Sequence, residues 1–248
     1  MKILFWNTLR LGSGTTGEKA VLAEGVIAEA FNEGAEFAVL CEVTSDTTLG
    51  DASIDKALVM ARRGKKKQSS QLGYAALDNE FTAAACVAYQ PPPFADVFGF
   101  SAYRKGGNAF ANHSKRYVAR LEGGGDVDCY VYHANASTKA AYLVAWIVEA
   151  LRQTKRRFIL FGDLNCEPAV LIDYIRYNHQ HGNDVGAPED FIVAFSGPTH
   201  NARNGATKVY DYAIAANKTA VTVDSMNIAG VMSRAAMSDH LPIYITFS

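Results

Sequence analysis

The chain has 248 residues, with 24 Lys and Arg against 25 Asp and Glu and a formal charge of −1. At 49% hydrophobic and 20% charged it has the composition of a folded globular protein, not of a disordered one. The charge balance excludes a polycation that grips phosphates over its whole surface, but it allows a local basic patch.

Read in chain order, Ile3–Trp6 is predicted to be a strand. Leu22, Val26 and Ala30, flanked by Ile27 and Phe31, have helical spacing, and Gly34 closes that helix. Phe37–Cys41 is a second strand, and Ile54, Ala57, Leu58 and Ala61 repeat the helical spacing. A strand-rich stretch follows, near 72–78, 82–89, 97–103, 116–122 and 127–132, with Gly123–Gly125 as a hairpin turn. Val144, Ile147, Val148 and Leu151 make a helix face. Phe158–Phe161 is a buried strand and 169–177 another helix. Strands near 191–195, 209–215, 220–227 and 242–247 complete the chain. No repeat, linker or internal boundary interrupts this pattern, so one domain over 1–248 is expected, of α/β (α+β) class with layered sheets.

No stretch is apolar for long enough to cross a bilayer, and the apolar run before Asn7 is too short for a signal-peptide core. The chain as given is therefore expected to be cytoplasmic. Cys41, Cys86, Cys129 and Cys166 form no CxxC pair and are expected to be buried, reduced thiols. Trp6 and Trp146 lie in apolar runs and are expected in the core.

Polar residues cluster where apolar strands end. Asn7 follows the first strand, Glu42 the second, and His133 and Asn135 the strand near 127–132. Asp163 and Asn165 follow Phe158–Phe161, Asp211 lies within 209–215, and Ser238-Asp239-His240 precedes the last strand. Strand ends along one sheet edge are where sites are usually assembled. Carboxylates, amides and imidazoles without a thiolate suit Mg²⁺, with Mn²⁺ or Ca²⁺ as alternatives, better than zinc.

The order Trp6-Asn7, Cys41-Glu42, His133-Ala134-Asn135, Gly162-Asp163-Leu164-Asn165, Tyr210-Asp211-Tyr212 and Ser238-Asp239-His240 resembles the endonuclease/exonuclease/phosphatase superfamily. His133, where the AP-endonuclease branch carries Tyr, and Thr44, where that branch tends to carry Lys, point to the two-histidine branch. That branch includes DNase I, the catalytic subunit of cytolethal distending toxin, and sphingomyelinases. The resemblance implies a four-layer sandwich: two packed mixed β-sheets flanked by helices. It also implies metal-dependent hydrolysis of phosphoesters.

Carried onto this chain, the resemblance makes Glu42 a metal ligand, completed or supported by Asn7 and Asp239. It makes His240 and Asp211 a dyad, with Asp163 and Asn165 beside it and either Asp163 or His240 as general base. His133 would donate to the phosphate or leaving oxygen, oriented by Glu80 or Asp78. Arg116 is the candidate phosphate clamp, with Arg120 and Asn135 beside it. The basic run Arg62-Arg63-Gly64-Lys65-Lys66-Lys67 reads as a nucleic-acid grip, a localisation-like segment or a solvated loop. His113, His179, His181 and His200 are read as surface or loop residues without a role. The expected partner is DNA, nicked by metal-assisted attack of water on phosphorus. A phospholipid headgroup is the alternative, and its enzyme would need an exposed apolar hairpin, for which 91–100 is the only candidate. A non-catalytic binding module would have lost ligands, whereas all six motif positions are filled.

Overall fold

The computed structural model describes residues 1–11, 17–43, 71–76, 86–102, 105–114, 116, 118–121, 125–200, 206–226 and 238–248. The chain starts in one sheet with β1 (Lys2–Leu11), α1 (Gly17–Asn32), β2 (Phe37–Val43) and β3 (Gln71–Ala76). It then builds a second sheet from β4 (Cys86–Tyr89), α2 (Phe94–Phe98), β5 (Val118–Leu121) and β6 (Asp128–Val131). That sheet continues through α3 (Ala140–Gln153), β7 (Phe158–Asp163), α4 (Pro168–His181), β8 (Ile192–Ala194) and β9 (Asp211–Ala216). Finally β10 (Val221–Ser225) and β11 (Ile243–Phe247) return to the first sheet. The orders are β10-β11-β1-β2-β3 and β4-β5-β6-β7-β9-β8. The β1–β2 and β6–β7 pairs are parallel and the other strand pairs antiparallel, so both sheets are mixed.

The two-residue period of a strand explains the layers. In β1 and β2, Ile3, Phe5, Phe37, Val39 and Cys41 face the other sheet, where they meet Cys129, Val131, Ile159, Phe161 and Ala213. The Phe5 and Phe161 rings touch edge to face across this seam at 5.9 Å. The alternate residues Leu4, Trp6, Ala38 and Leu40 pack instead on Val26, Ile27 and Ala30 of α1. On the far side, Tyr130, Phe158, Leu160, Tyr212 and Ile214 pack against α3 and α4 through Val144, Ile147, Leu151 and Ile175. Strands covered on both faces read as continuous apolar runs, and every residue of β7 and β9 is buried. The result is the four-layer α/β sandwich that the motif resemblance implied.

Three expectations need correction or limits. Within the expected 97–103 strand, the described residues 97–102 are not a strand. Pro93 precedes helix α2, Gly99 ends it at φ +75°, and Phe94 and Phe98 are placed one turn apart for burial. Phe94 lies 5.2 Å from Trp146 of α3, so the apolar content of 91–100 belongs to the core and not to an exposed hairpin. His113 is also buried, packed on Tyr142 and Trp146. The helix expected at 54–61 and the basic run 62–67 lie outside the described residues, as do Asp78 and Glu80. Cys41, Cys129 and Cys166 are buried free thiols, and both tryptophans are buried.

Candidate active site

Gly162 sets the geometry of the strand ends. Its φ is +150°, and a Cβ there would lie 2.0 Å from the Tyr132 carbonyl oxygen. Only glycine lets β7 run this close to the segment after β6. Backbone bonds then zip the two together: Tyr132 N–H donates to Phe161 O at 3.0 Å and Ala134 N–H to Asp163 O at 2.8 Å. His133 is thereby held beside Asp163.

Asp163 faces Asp211 directly across the β7–β9 ladder, and both carboxylates are buried. Buried like charges in register are unfavourable, with a penalty of about several kcal/mol per uncompensated ion. His240 compensates them. Its Nδ1 meets Asp211 Oδ2 at 2.8 Å and its Nε2 lies 3.7 Å from Asp163 Oδ2. The chain around His240 is tied down: Ser238 Oγ donates to Asn7 O at 2.6 Å and accepts from His240 N–H at 3.1 Å. Trp6 Nε1 donates to His240 O at 3.1 Å, and Asp211 N–H donates to Thr199 Oγ1 at 3.2 Å.

Asp163 is the hub. Asn7 Nδ2 donates to its Oδ2 at 2.8 Å, and Asn165 N–H donates to its Oδ1 at 3.2 Å. His133 Nε2 stands 3.3 Å from the same Oδ2 and 3.6 Å from Glu42 Oε1. On the other side Asp239 Oδ1 lies 4.0 Å from His240 Nε2. Acids and imidazoles thus alternate in one line, Glu42, His133, Asp163, His240, Asp239, contributed by both sheets.

Charge follows from this line. Burial works against ionisation of His240, but the Asp211 carboxylate outweighs it, with Asp163 and Asp239 adding to the effect, and its pKa rises from 6.5 to about 10. Burial would raise the Asp163 carboxyl, yet the hydrogen bond and charge of His133, the charge of His240 and the Asn7 amide hold it well below the usual carboxylate range. Burial pushes the Asp211 carboxyl up, with His240 opposing.

Two backbone oddities mark the same edge. Glu42 has φ +58° and Asn165 φ +48°, the left-handed region that ordinary residues avoid. In this setting Asn165 Nδ2 donates to Ala134 O at 3.0 Å. Arg116 Nη1 donates to the same carbonyl at 2.9 Å and lies 3.4 Å from His133 O. Arg116 is therefore tied to the backbone that carries His133. Asn135, half-buried, follows in that segment. Arg120 is not brought to the cluster. Its guanidinium meets Asp128 at 2.9 Å, at the start of β6 and away from His133.

One residue joins that sequence reading had left out. His200 Nε2 lies 3.6 Å from Asp239 Oδ2, and its ring sits 4.6 Å from that of His240. His200 and His240 are antiparallel bridge partners, a contact between distant segments that no local motif announces.

The donor set fits a hard divalent cation at Glu42. That carboxylate is only partly covered, at 17% exposure, and Cys41 beside it is turned into the inter-sheet core. Asp239 Oδ1 is buried and meets no hydrogen-bond partner among the described residues. Mg²⁺ commonly takes one or two carboxylates and fills the rest of its shell with water and phosphate oxygens, so a single well-placed glutamate suffices. Among the described residues, the triplets whose ligand atoms lie within 4.8 Å of one another are Asp163–Asp211–His240 and His200–Asp239–His240, and Glu42 is in neither.

No family model and no curated protein matches the chain. Solved structures do match over its whole length. The cytolethal distending toxin of Actinobacillus actinomycetemcomitans superposes with a TM-score of 0.61 at 15% identity, covering 99% of this chain and 97% of that one. An endonuclease/exonuclease/phosphatase family protein of Leptotrichia buccalis gives 0.58 at 12% identity, covering 100% and 99%. Truncated TDP2 of Caenorhabditis elegans gives 0.56 at 12% identity, covering 99% and 96%. The chain has the endonuclease/exonuclease/phosphatase fold.

Proposed function

We propose that the protein is a divalent-metal-dependent phosphodiesterase that nicks DNA. The observation that carries the reading is the line Glu42–His133–Asp163–His240–Asp239, assembled from strand ends of both sheets. Two imidazoles flanking one ionised carboxylate can surround a phosphoryl group with donors on either side and an acceptor between.

Glu42 would hold the cation, with Asp239 and Asn7 supporting it. When bound, the cation neutralises charge on the phosphorus and polarises a phosphoryl oxygen. The chain's own groups do the rest. Asp163 is ionised and accepts a proton or hydrogen bond from the attacking water. His240 holds a proton at Nε2, where it can donate to a non-bridging oxygen, and Asp211 keeps the ring oriented. His133 Nε2 faces the same centre and is placed to donate to the leaving oxygen. Asn165 offers its amide, and the link from Arg116 to Ala134 O steadies the His133 segment. The fold is shared with a protein described as of the endonuclease/exonuclease/phosphatase family, which is consistent with a phosphoester substrate. The lipid alternative is weakened because 91–100, its candidate insertion element, is packed into the core.

Supercoiled plasmid incubated with the protein and Mg²⁺ should relax to open circle, and EDTA should stop it. Absence of nicking with Mg²⁺, Mn²⁺ and Ca²⁺ would sink the nuclease reading. Hydrolysis of sphingomyelin or a phosphoinositide in parallel arms would move the same site to the lipid reading.

A further inference from the structure

We propose that His200, Asp239 and His240 form a binding site for a borderline divalent metal of the Zn²⁺ type, different in donor character from the oxygen-rich end at Glu42, with which it shares Asp239. Each residue contributes one ligand atom, and the three atoms lie within 4.8 Å of one another. His200 Nε2 lies 3.6 Å from Asp239 Oδ2 and His240 Nε2 lies 4.0 Å from Asp239 Oδ1, so the carboxylate faces both imidazoles. Zinc bonds of about 2.0–2.1 Å in a tetrahedron place ligand atoms about 3.3 Å apart, so atoms that start within 4.8 Å of one another close on the ion by side-chain movement of about 1.5 Å or less.

Further observations point the same way. The two histidines are antiparallel bridge partners, and Leu241 N–H donates to Thr199 O at 2.9 Å, so the imidazoles are presented from paired backbone. The His200 ring is steadied by Tyr210 at 4.9 Å. His240 Nδ1 is anchored on Asp211 at 2.8 Å, the carboxylate–histidine relay that orients a metal-binding ring and leaves Nε2 for the ion. Asp239 Oδ1 is buried with no hydrogen-bond partner among the described residues, as expected of an oxygen waiting for a cation. Side-chain exposures of 29% at His200 and 31% at Asp239 leave an entry path. Two imidazoles and one carboxylate are a zinc donor set, whereas Mg²⁺ takes oxygen.

One consequence rests on the proposed function. A metal on His240 Nε2 takes that nitrogen away from the phosphate, and the proton it displaces goes to solvent. Zinc at this site therefore stops turnover that Mg²⁺ supports.

The test is calorimetric titration of Zn²⁺ alone, without Mg²⁺, into the native chain, His200→Asn and Glu42→Gln. The native chain should bind one equivalent, His200→Asn should bind at least about tenfold more weakly, and Glu42→Gln should match the native chain. Equal binding by the native chain and His200→Asn, or an equal loss in both variants, overturns the site. Should His200→Asn fail to fold, the intense visible absorption of four-coordinate Co²⁺ on the native chain is the second measure, and its absence likewise overturns the site. Zinc binding with these signatures in a chain that hydrolyses no phosphoester removes the proposed function and leaves the site standing. Mg²⁺-dependent nicking that persists with one equivalent of Zn²⁺ bound removes the inhibitory consequence.

Discussion

The two histidines at the centre both turn Nε2 toward Asp163 but are anchored differently. His240 is gripped through its own ring: Asp211 takes Nδ1, and the neighbouring backbone is fastened by Trp6 and Ser238. His133 is positioned through its backbone, with Ala134 N–H bonded to Asp163 O and Ala134 O receiving both Arg116 and Asn165. Its own Nδ1 is buried and meets no partner among the described residues. The Asp211 carboxylate fixes the tautomer of His240, whereas the carboxylates near His133, at 3.3 and 3.6 Å, meet only its Nε2. This contrast suits the separate roles proposed for the two rings.

The largest effect should come from the group both histidines share. Asp163→Ala and His240→Ala should each lower turnover by about a thousandfold or more, with circular dichroism unchanged. A variant that keeps near-native rate would mean that its residue lies off the reaction path. Next, Asp211→Asn removes the feature that separates the two rings. It should reduce kcat by about a hundredfold or more while KM moves little, and nuclear magnetic resonance titration should find His240 back toward its ordinary range. A His240 that still titrates near its native value in that variant would break the comparison.

Stability should show the same asymmetry. Because the folded His240 pKa is raised from 6.5 to about 10, its contribution is fully present below the lower value and is lost as pH rises through the higher one. The melting temperature of the native chain should therefore approach that of His240→Gln as pH climbs through this window. Asp163 works at the other end. Its lowered pKa stabilises the fold above 3.8, and that contribution fades as pH falls further. A native-minus-variant difference that stays flat from neutral to alkaline pH would contradict the charge assignment.

Smaller effects separate the two arginines. Arg116→Ala should slow turnover by about tenfold by loosening the His133 segment and removing a phosphate partner. Arg120→Ala should leave turnover alone and lower stability by about 0.2–1 kcal/mol, as expected for a half-exposed ion pair with Asp128. Equal losses in both variants would place the phosphate path over β5 as well.

Much of this arrangement was legible before any coordinates. Each motif residue follows or begins an apolar strand, and strands covered on both faces announce themselves as unbroken hydrophobic runs such as Phe158–Phe161. The alternation of Ile3 and Phe5 with Leu4 and Trp6 does not by itself say which face meets a sheet and which a helix, because both are apolar. Three things escaped for physical reasons. The 97–103 segment has an aromatic pattern that suits a strand, but Pro93 and Gly99 bracket a helical turn that runs into its start. His200 reaches the site through a bridge to His240, a pairing set by the return of distant chain and not by spacing. Arg120 belongs to a basic stretch in sequence, yet its partner Asp128 lies across the hairpin and draws it away.

Neutral overall charge also takes on a different meaning. Glu42, Asp163, Asp211 and Asp239 are gathered at one edge, and setting them aside leaves a net positive remainder. The protein is not uniformly neutral. It concentrates acids where a cation and two protonatable rings can offset them.

The most direct test compares relaxation of supercoiled plasmid by the native chain and by His240→Ala, side by side with Mg²⁺ and with EDTA. The account predicts open circle only from the native chain with Mg²⁺. Equal relaxation by both chains, or relaxation that EDTA leaves untouched, would contradict it.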